Sequence, residues 1–186
     1  TMPNAFLQLR APDFRQTDLL LLAGRSGSGK STALRLLMDD HPSFVAEKRS
    51  IVIGSPPQWQ NADTSEALVF VDELQNLRDL LHVYLLLFQG KRVVAASHLL
   101  PLLFLPARLF ARVRWFYTDR CGDKLRQHLE ARNIRCSAEA IDAYTKKFGA
   151  TYTDLEIIVE RSPGIDFDAA LRRFEKLDSI SIARRS

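Results

Sequence analysis

Cysteine is scarce in this chain of 186 residues: Cys121 and Cys136 are the two present. Neither stands at metal-ligand spacing from a histidine, so a Cys/His metal centre is not expected, and both are expected to be free thiols in a reducing cytosol. Long apolar runs are lacking as well. The most apolar stretch, Leu99 to Phe110, contains Pro101, Pro106 and Arg108. It is too short for a bilayer, which takes about 20 apolar residues, so no membrane insertion is expected. Thr1 to Arg15 mixes polar residues with prolines instead of showing a signal peptide, and the expected location is cytoplasmic. No charge sign dominates: Lys+Arg number 26 and Asp+Glu 22, a formal charge of +4. That modest excess suggests an anionic partner without requiring one. The length suits one large domain, or a core domain with a small companion.

What is present begins at Gly24-Arg25-Ser26-Gly27-Ser28-Gly29-Lys30-Ser31, directly after the apolar run Leu19-Leu20-Leu21-Leu22-Ala23. Gly24, Gly29, Lys30 and Ser31 satisfy the spacing of a P-loop. Its glycines let successive backbone N–H groups turn inward around phosphate, where a Cβ would obstruct the turn. Lys30 is expected to neutralise the β- and γ-phosphates of ATP, and the Ser31 hydroxyl to ligate Mg²⁺. A helix starting near Lys30 would aim its positive end at the same anion. The expected nucleotide-binding set is Gly24, Arg25, Ser26, Gly27, Ser28, Gly29, Lys30, Ser31 and Thr32. A plain Gly/Ser loop is the alternative, and the flanking strand and helix patterns weigh against it.

After the loop, Ser31 to Asp39 has a helical pattern that His41-Pro42 ends, because the residue before proline avoids the α region. Ser50 to Gly54 reads as a short strand, followed by a loop from Ser55-Pro56-Pro57 to about Ser65. Ala67 to Val71 and Arg92 to Ala96 are continuous apolar runs of strand length, the pattern of parallel strands covered on both faces. Between them, Leu74 to Gln89 reads as a leucine-rich helix with Gly90 at its end. Val113 to Tyr117 is a last strand. Beyond it, Asp123–Ala131, Ala138–Phe148, Tyr152–Glu160 and Phe167–Leu177 have helical spacing, with Gly149 as a terminal cap and Ser162-Pro163-Gly164 as a break. The expected architecture is an α/β core over residues 1–118, with three layers and a parallel central sheet, followed by an all-helical unit over 119–186.

Asp72-Glu73, at the end of a buried strand, is the second concentration of chemistry. Asp72 is expected to hold Mg²⁺ opposite Ser31, and Glu73 to orient and polarise the attacking water. An exposed acidic turn is the plainer alternative. Ser97 ends the strand expected beside that of Asp72, where its hydroxyl could reach the γ-phosphate or simply cap the following turn. His98 could report on the same phosphate or stand in solvent.

The order P-loop, Val71-Asp72-Glu73, strand-ending Ser97, Leu109-Phe110-Ala111-Arg112 and helical tail resembles the AAA+ ATPase superfamily, from about Leu19 to Glu160. The resemblance implies ATP hydrolysis at a subunit interface, hence self-association. Ser97 matches sensor 1. Arg112 matches the arginine finger given to a neighbouring subunit, with Arg108 and Arg114 near enough to be confused with it. The helical tail matches the AAA+ lid, but Gly149 to Glu156 lacks the sensor-2 arginine, and Arg161 and Lys147 are off the motif. Asp72-Glu73-Leu74-Gln75-Asn76-Leu77 is similar to a signature of the Mu B and ExeA-like groups, whose transposon members assemble on DNA; initiators and clamp loaders are the other branch considered.

From Ala107 to Arg135 there are eight basic and three acidic residues, interleaved with Trp115, Phe116 and Tyr117. Phosphate backbones favour such a patch and aromatics can stack bases, yet alternating core residues on a strand explain the aromatics better. The expected function is an ATP hydrolase driving assembly or remodelling of a DNA-associated or protein partner, with Lys30, Asp72, Glu73, Ser97 and Arg112 as catalytic residues. A small P-loop kinase and an ATP-gated binding module with little turnover are the alternatives.

Overall fold

Five apolar runs become five strands: β1 (Leu19–Ala23), β2 (Arg49–Val52), β3 (Leu68–Leu74), β4 (Arg92–Ser97) and β5 (Val113–Tyr117). The computed structural model describes residues 14–40, 44, 47–52, 59–118 and 122–183. Most of the lead-in before Asp18, the His41-Pro42 stop, the end of the expected strand at Ile53-Gly54, the Ser55-Pro56-Pro57 loop and Cys121 lie outside those residues. All strands pair in parallel, in the order β2-β3-β4-β1-β5.

A parallel sheet needs cover on both faces, and that is why these strands are apolar without alternation. Leu19, Leu21, Val69, Val71, Val93 and Ala95 pack on one side against Leu80, Val83, Leu86 and Leu87 of helix α2 (Leu77–Phe88). Their neighbours Leu20, Leu22, Phe70, Val94 and Ala96 pack on the other side against Ala33, Leu34 and Leu37 of helix α1 (Lys30–Asp40). The result is a three-layer α/β unit. Each fully buried Leu, Val or Phe contributes about 1.5–3 kcal/mol of transfer free energy, so the sheet and its two covers dominate its stability.

Two local features differ from the sequence reading. β3 does not stop at Asp72-Glu73 but runs to Leu74, and α2 begins at Leu77 instead of Leu74. The cause is a capping box: the Asn76 side chain accepts from Asp79 N while the Asp79 side chain accepts from Asn76 N, which fixes the helix start. Pro101–Leu109, read only as part of an apolar run, forms a 3-10 helix. Pro101 suits a first turn, and Pro106 removes the N–H that an α-helix would use.

The chain divides into two compact units after Thr118. The second contains α3 (Asp123–Ala131), α4 (Ala138–Phe148), α5 (Tyr152–Glu160) and α6 (Phe167–Ala183), with no strand among its described residues. Leu125, Leu129, Ile141, Tyr144, Leu155 and Phe167 belong to its core. Ser137 caps α4 by accepting from Ala140 N. Gly149, at φ 77°, ends α4 in a conformation that residues with a Cβ rarely adopt.

Candidate nucleotide and metal site

β1 leads into the glycine-rich loop at its carboxyl end, and α1 leads out of it. Gly24, Gly27 and Gly29 have φ of 149°, 73° and 84°, so three positions of the motif require glycine for conformational reasons. Lys30 Nζ curls back over the loop and donates to the carbonyls of Gly24 at 2.9 Å and Arg25 at 3.0 Å. Arg25 and Ser26 are exposed, Ser28 is buried, and Ser31 and Thr32 are half-buried at the start of α1. The Ser28 and Thr118 hydroxyls lie 2.6 Å apart, and Thr118 Oγ1 also donates to the Ala23 carbonyl at 3.2 Å. The loop is thereby tied to the residue that follows β5.

Across the sheet, Ser31 Oγ donates to Asp72 Oδ1 at 2.8 Å. Asp72 is buried and sits where β3 departs from regular pairing. Val71 pairs with Ala95 and Leu74 with Ser97, three steps on one strand against two on the other, so Asp72-Glu73 form a β-bulge. Glu73 takes φ 61° there, a left-handed conformation costing a non-glycine residue roughly 1 kcal/mol or more. Bulges re-aim side chains next to functional sites. Here the Glu73 N–H donates to Asp72 Oδ1 at 3.0 Å, and the Glu73 carboxylate turns to His98, whose Nε2 lies 3.1 Å from Oε2.

Ser97 is buried at the carboxyl end of β4, paired with Ala23 on one side and Leu74 on the other. Its hydroxyl accepts from Leu99 N at 3.0 Å, so it shapes the turn after the strand. Lys30, Ser31, Asp72, Glu73 and Ser97 therefore gather at the carboxyl edge of the sheet, where ligands of open α/β sheets bind.

Arg112 is not brought to this edge. It precedes β5; its carbonyl accepts from Asp18 N and Leu19 N, and its own N–H donates to Asp18 Oδ2 at 2.7 Å. Asp18 precedes β1, whereas the P-loop follows it, so a strand of roughly 17 Å separates Arg112 from its own P-loop. The Arg112 side chain is 69% exposed, with Nε 3.8 Å from Asp18 Oδ2. Arg108 lies 4.3 Å over the Trp115 ring, and Trp115 packs on the sheet core. Other members of the basic stretch are likewise engaged: Arg126 with Glu130 at 3.0 Å, Arg132 with Glu156, and Lys124 against Tyr152. Lys147 pairs with Glu175, and Arg161 ends α5.

Thr118 and Asp79 are not among the residues expected from sequence, and His98, expected near the phosphate or in solvent, is found beside Glu73 instead. Thr118 anchors the glycine-rich loop, and buried Asp79 organises the segment after Glu73 by accepting from Gln75 N, Asn76 N and Trp59 Nε1. The Asn76-x-x-Asp79 spacing is a readable cap signal; the Thr118 and His98 roles are tertiary contacts.

Among the described residues, no group of three or more His, Cys, Asp or Glu could hold a metal ion. The Ser31–Asp72 oxygen pair nevertheless fits Mg²⁺, which takes one or two protein oxygens beside water and substrate phosphates. No family model matches the chain, and no curated protein matches it. Among the described residues, no helix is long and apolar enough to cross a membrane.

Proposed function

We propose that this chain is an AAA+-type ATPase, which binds and hydrolyses Mg-ATP and uses the cycle to assemble on, or remodel, a partner. The observation that carries this reading is the 2.8 Å hydrogen bond from Ser31 Oγ to Asp72 Oδ1. It joins the serine of a glycine-rich loop to the acid of a buried strand, the two protein groups such a reaction requires at its metal. Mg-ATP, when bound, supplies the phosphoryl group and part of the charge neutralisation. Lys30 exchanges its loop carbonyls for phosphate oxygens, and Ser31 and Asp72 hold Mg²⁺. Glu73 orients water, and the Ser97 hydroxyl senses the γ-phosphate.

Arg112 serves a neighbouring copy in this account. An exposed apolar face supports self-association: Leu77, Leu81, Leu85 and Phe88 on α2, and Leu109 and Phe110 just before Arg112. Phe88 stacks on Phe110 with ring centroids 4.3 Å apart, which joins the two stretches into one patch. Exposed apolar patches of this kind mark interaction sites. The unit after Thr118 acts as the lid. Association with DNA rests on the net charge of +4 and on the resemblance, and a cytoplasmic location on the scarcity of cysteine.

The test is ATP hydrolysis against protein concentration, with and without Mg²⁺ and DNA. Magnesium-dependent turnover per chain that rises with concentration and DNA supports the full reading. Turnover independent of both would favour a small-molecule acceptor instead.

A further inference from the structure

We propose that His98 and Gln75 are positioning residues for the Glu73 carboxylate, fixing which of its oxygens faces the reaction. This rests on the ATPase reading above. The bulge gives Glu73 a left-handed backbone, but a glutamate side chain has rotamer freedom worth roughly 1.5–2 kcal/mol, so the backbone alone does not place its carboxylate. Two donors do. Gln75 Nε2 donates to Glu73 Oε2 at 2.8 Å, and His98 Nε2 lies 3.1 Å from the same oxygen. Oε1 accepts from no group among the described residues and is left to meet water.

The clamp is built into the ends of two strands. His98 N donates to the Leu74 carbonyl at 2.8 Å, which extends the β3–β4 pairing beyond the bulge. Leu99 N donates to Ser97 Oγ and fixes the turn that carries the imidazole. Gln75 is held from the other side, its N–H donating to Asp79 Oδ2 at 3.1 Å. Ser97 therefore acts on Glu73 through His98, in addition to any contact it makes with phosphate. The His98 and Glu73 side chains are 30% and 29% exposed. Exposed and half-exposed pairs of this kind contribute little to stability. Their contribution is orientation, which counts heavily when a misplacement of about 1 Å can cost a hundredfold in rate.

The experiment compares wild type with His98→Ala, His98→Gln, Gln75→Ala and Glu73→Gln. It measures kcat, KM, affinity for a fluorescent ATP analogue, and the His98 ring resonances by NMR. His98→Ala is expected to lower kcat roughly tenfold while KM and nucleotide affinity stay within about twofold. His98→Gln, which keeps a polar side chain beside that oxygen, recovers most of that loss. Glu73→Gln shifts the His98 ring resonances in the otherwise intact protein. An unchanged kcat in His98→Ala overturns the proposal. A kcat above wild type overturns it too, because it would make the pair a latch that restrains Glu73. Failure of the ATPase reading has another signature, wild type without turnover or Glu73→Gln as active as wild type, and the positioning role falls with it.

Discussion

The hydroxyls of Ser28 and Thr118 meet at 2.6 Å in the interior, joining the P-loop to the residue that closes the α/β unit. Thr118 keeps the loop's shape because the same hydroxyl also holds the Ala23 carbonyl. Thr118→Val preserves volume and removes both bonds. It is expected to cost about 1–3 kcal/mol in denaturant unfolding and to weaken nucleotide binding several-fold. Undiminished affinity would show that the loop holds its form without this anchor.

Asp79 is 2% exposed and receives three N–H donors, from Gln75, Asn76 and Trp59. Removing its carboxylate strands those donors and unfastens the start of α2. Asp79→Ala is expected to destabilise the protein by roughly 2–4 kcal/mol, against about 1 kcal/mol for Asn76→Ala, which removes the cap from only one side. Equilibrium urea unfolding of both variants checks the ranking.

Arg112 and the apolar face beside it give a paired prediction. Arg112→Ala changes little in the isolated fold, since its ion pair with Asp18 is exposed and such pairs contribute at most about 1 kcal/mol. Its turnover at high concentration is expected to fall by at least about a thousandfold. Mixing it with Glu73→Gln is expected to recover activity, because one copy would keep the proposed water-orienting residue and the other the arginine. Leu109→Asp, at a position 89% exposed, is expected to leave the melting temperature unchanged and abolish concentration-dependent association in light scattering.

The helical unit carries its own pH signature. Burial raises the Tyr144 phenol from 10.0 to about 12, partly offset by its hydrogen bond to Thr151. Between those values the unfolded chain releases a proton that the folded chain retains, so stability is fully present below pH 10 and falls as pH rises toward 12. The loss approaches about 2 kcal/mol, and Tyr144→Phe removes this dependence from unfolding curves taken across that range. At the acid end, the Ser137 hydrogen bonds hold Asp168 below its usual carboxylate value. That contribution is present above the ordinary aspartate range and disappears as pH falls through the lowered one.

Much of the α/β architecture was legible because β1, β3 and β4 are apolar without alternation and because Gly24, Gly29, Lys30 and Ser31 stand at constrained spacings. The bulge was not legible. Glu73 adopts a conformation that glycine would announce, and no glycine marks it; it arises from how β3 meets β4. The 3-10 helix was not legible either, because Pro101 and Pro106 lay in a run read only for its apolarity. Ser97 illustrates a different limit: the sequence put it at the strand end and offered two uses for its hydroxyl, and the turn after β4 engages it. Thr118 became informative only when β5 set it beside Ser28, and His98, expected near the phosphate or in solvent, lies beside Glu73.

Mg-ATP turnover by the proposed ATPase depends on Glu73, and the most direct measurement compares wild type with Glu73→Gln for ATP affinity and for kcat. Glu73 lies outside the glycine-rich loop, so the variant is expected to bind ATP as wild type does while losing at least about a hundredfold in magnesium-dependent kcat. Wild type that binds no ATP, or a Glu73→Gln protein that turns over at the wild-type rate, would contradict this reading.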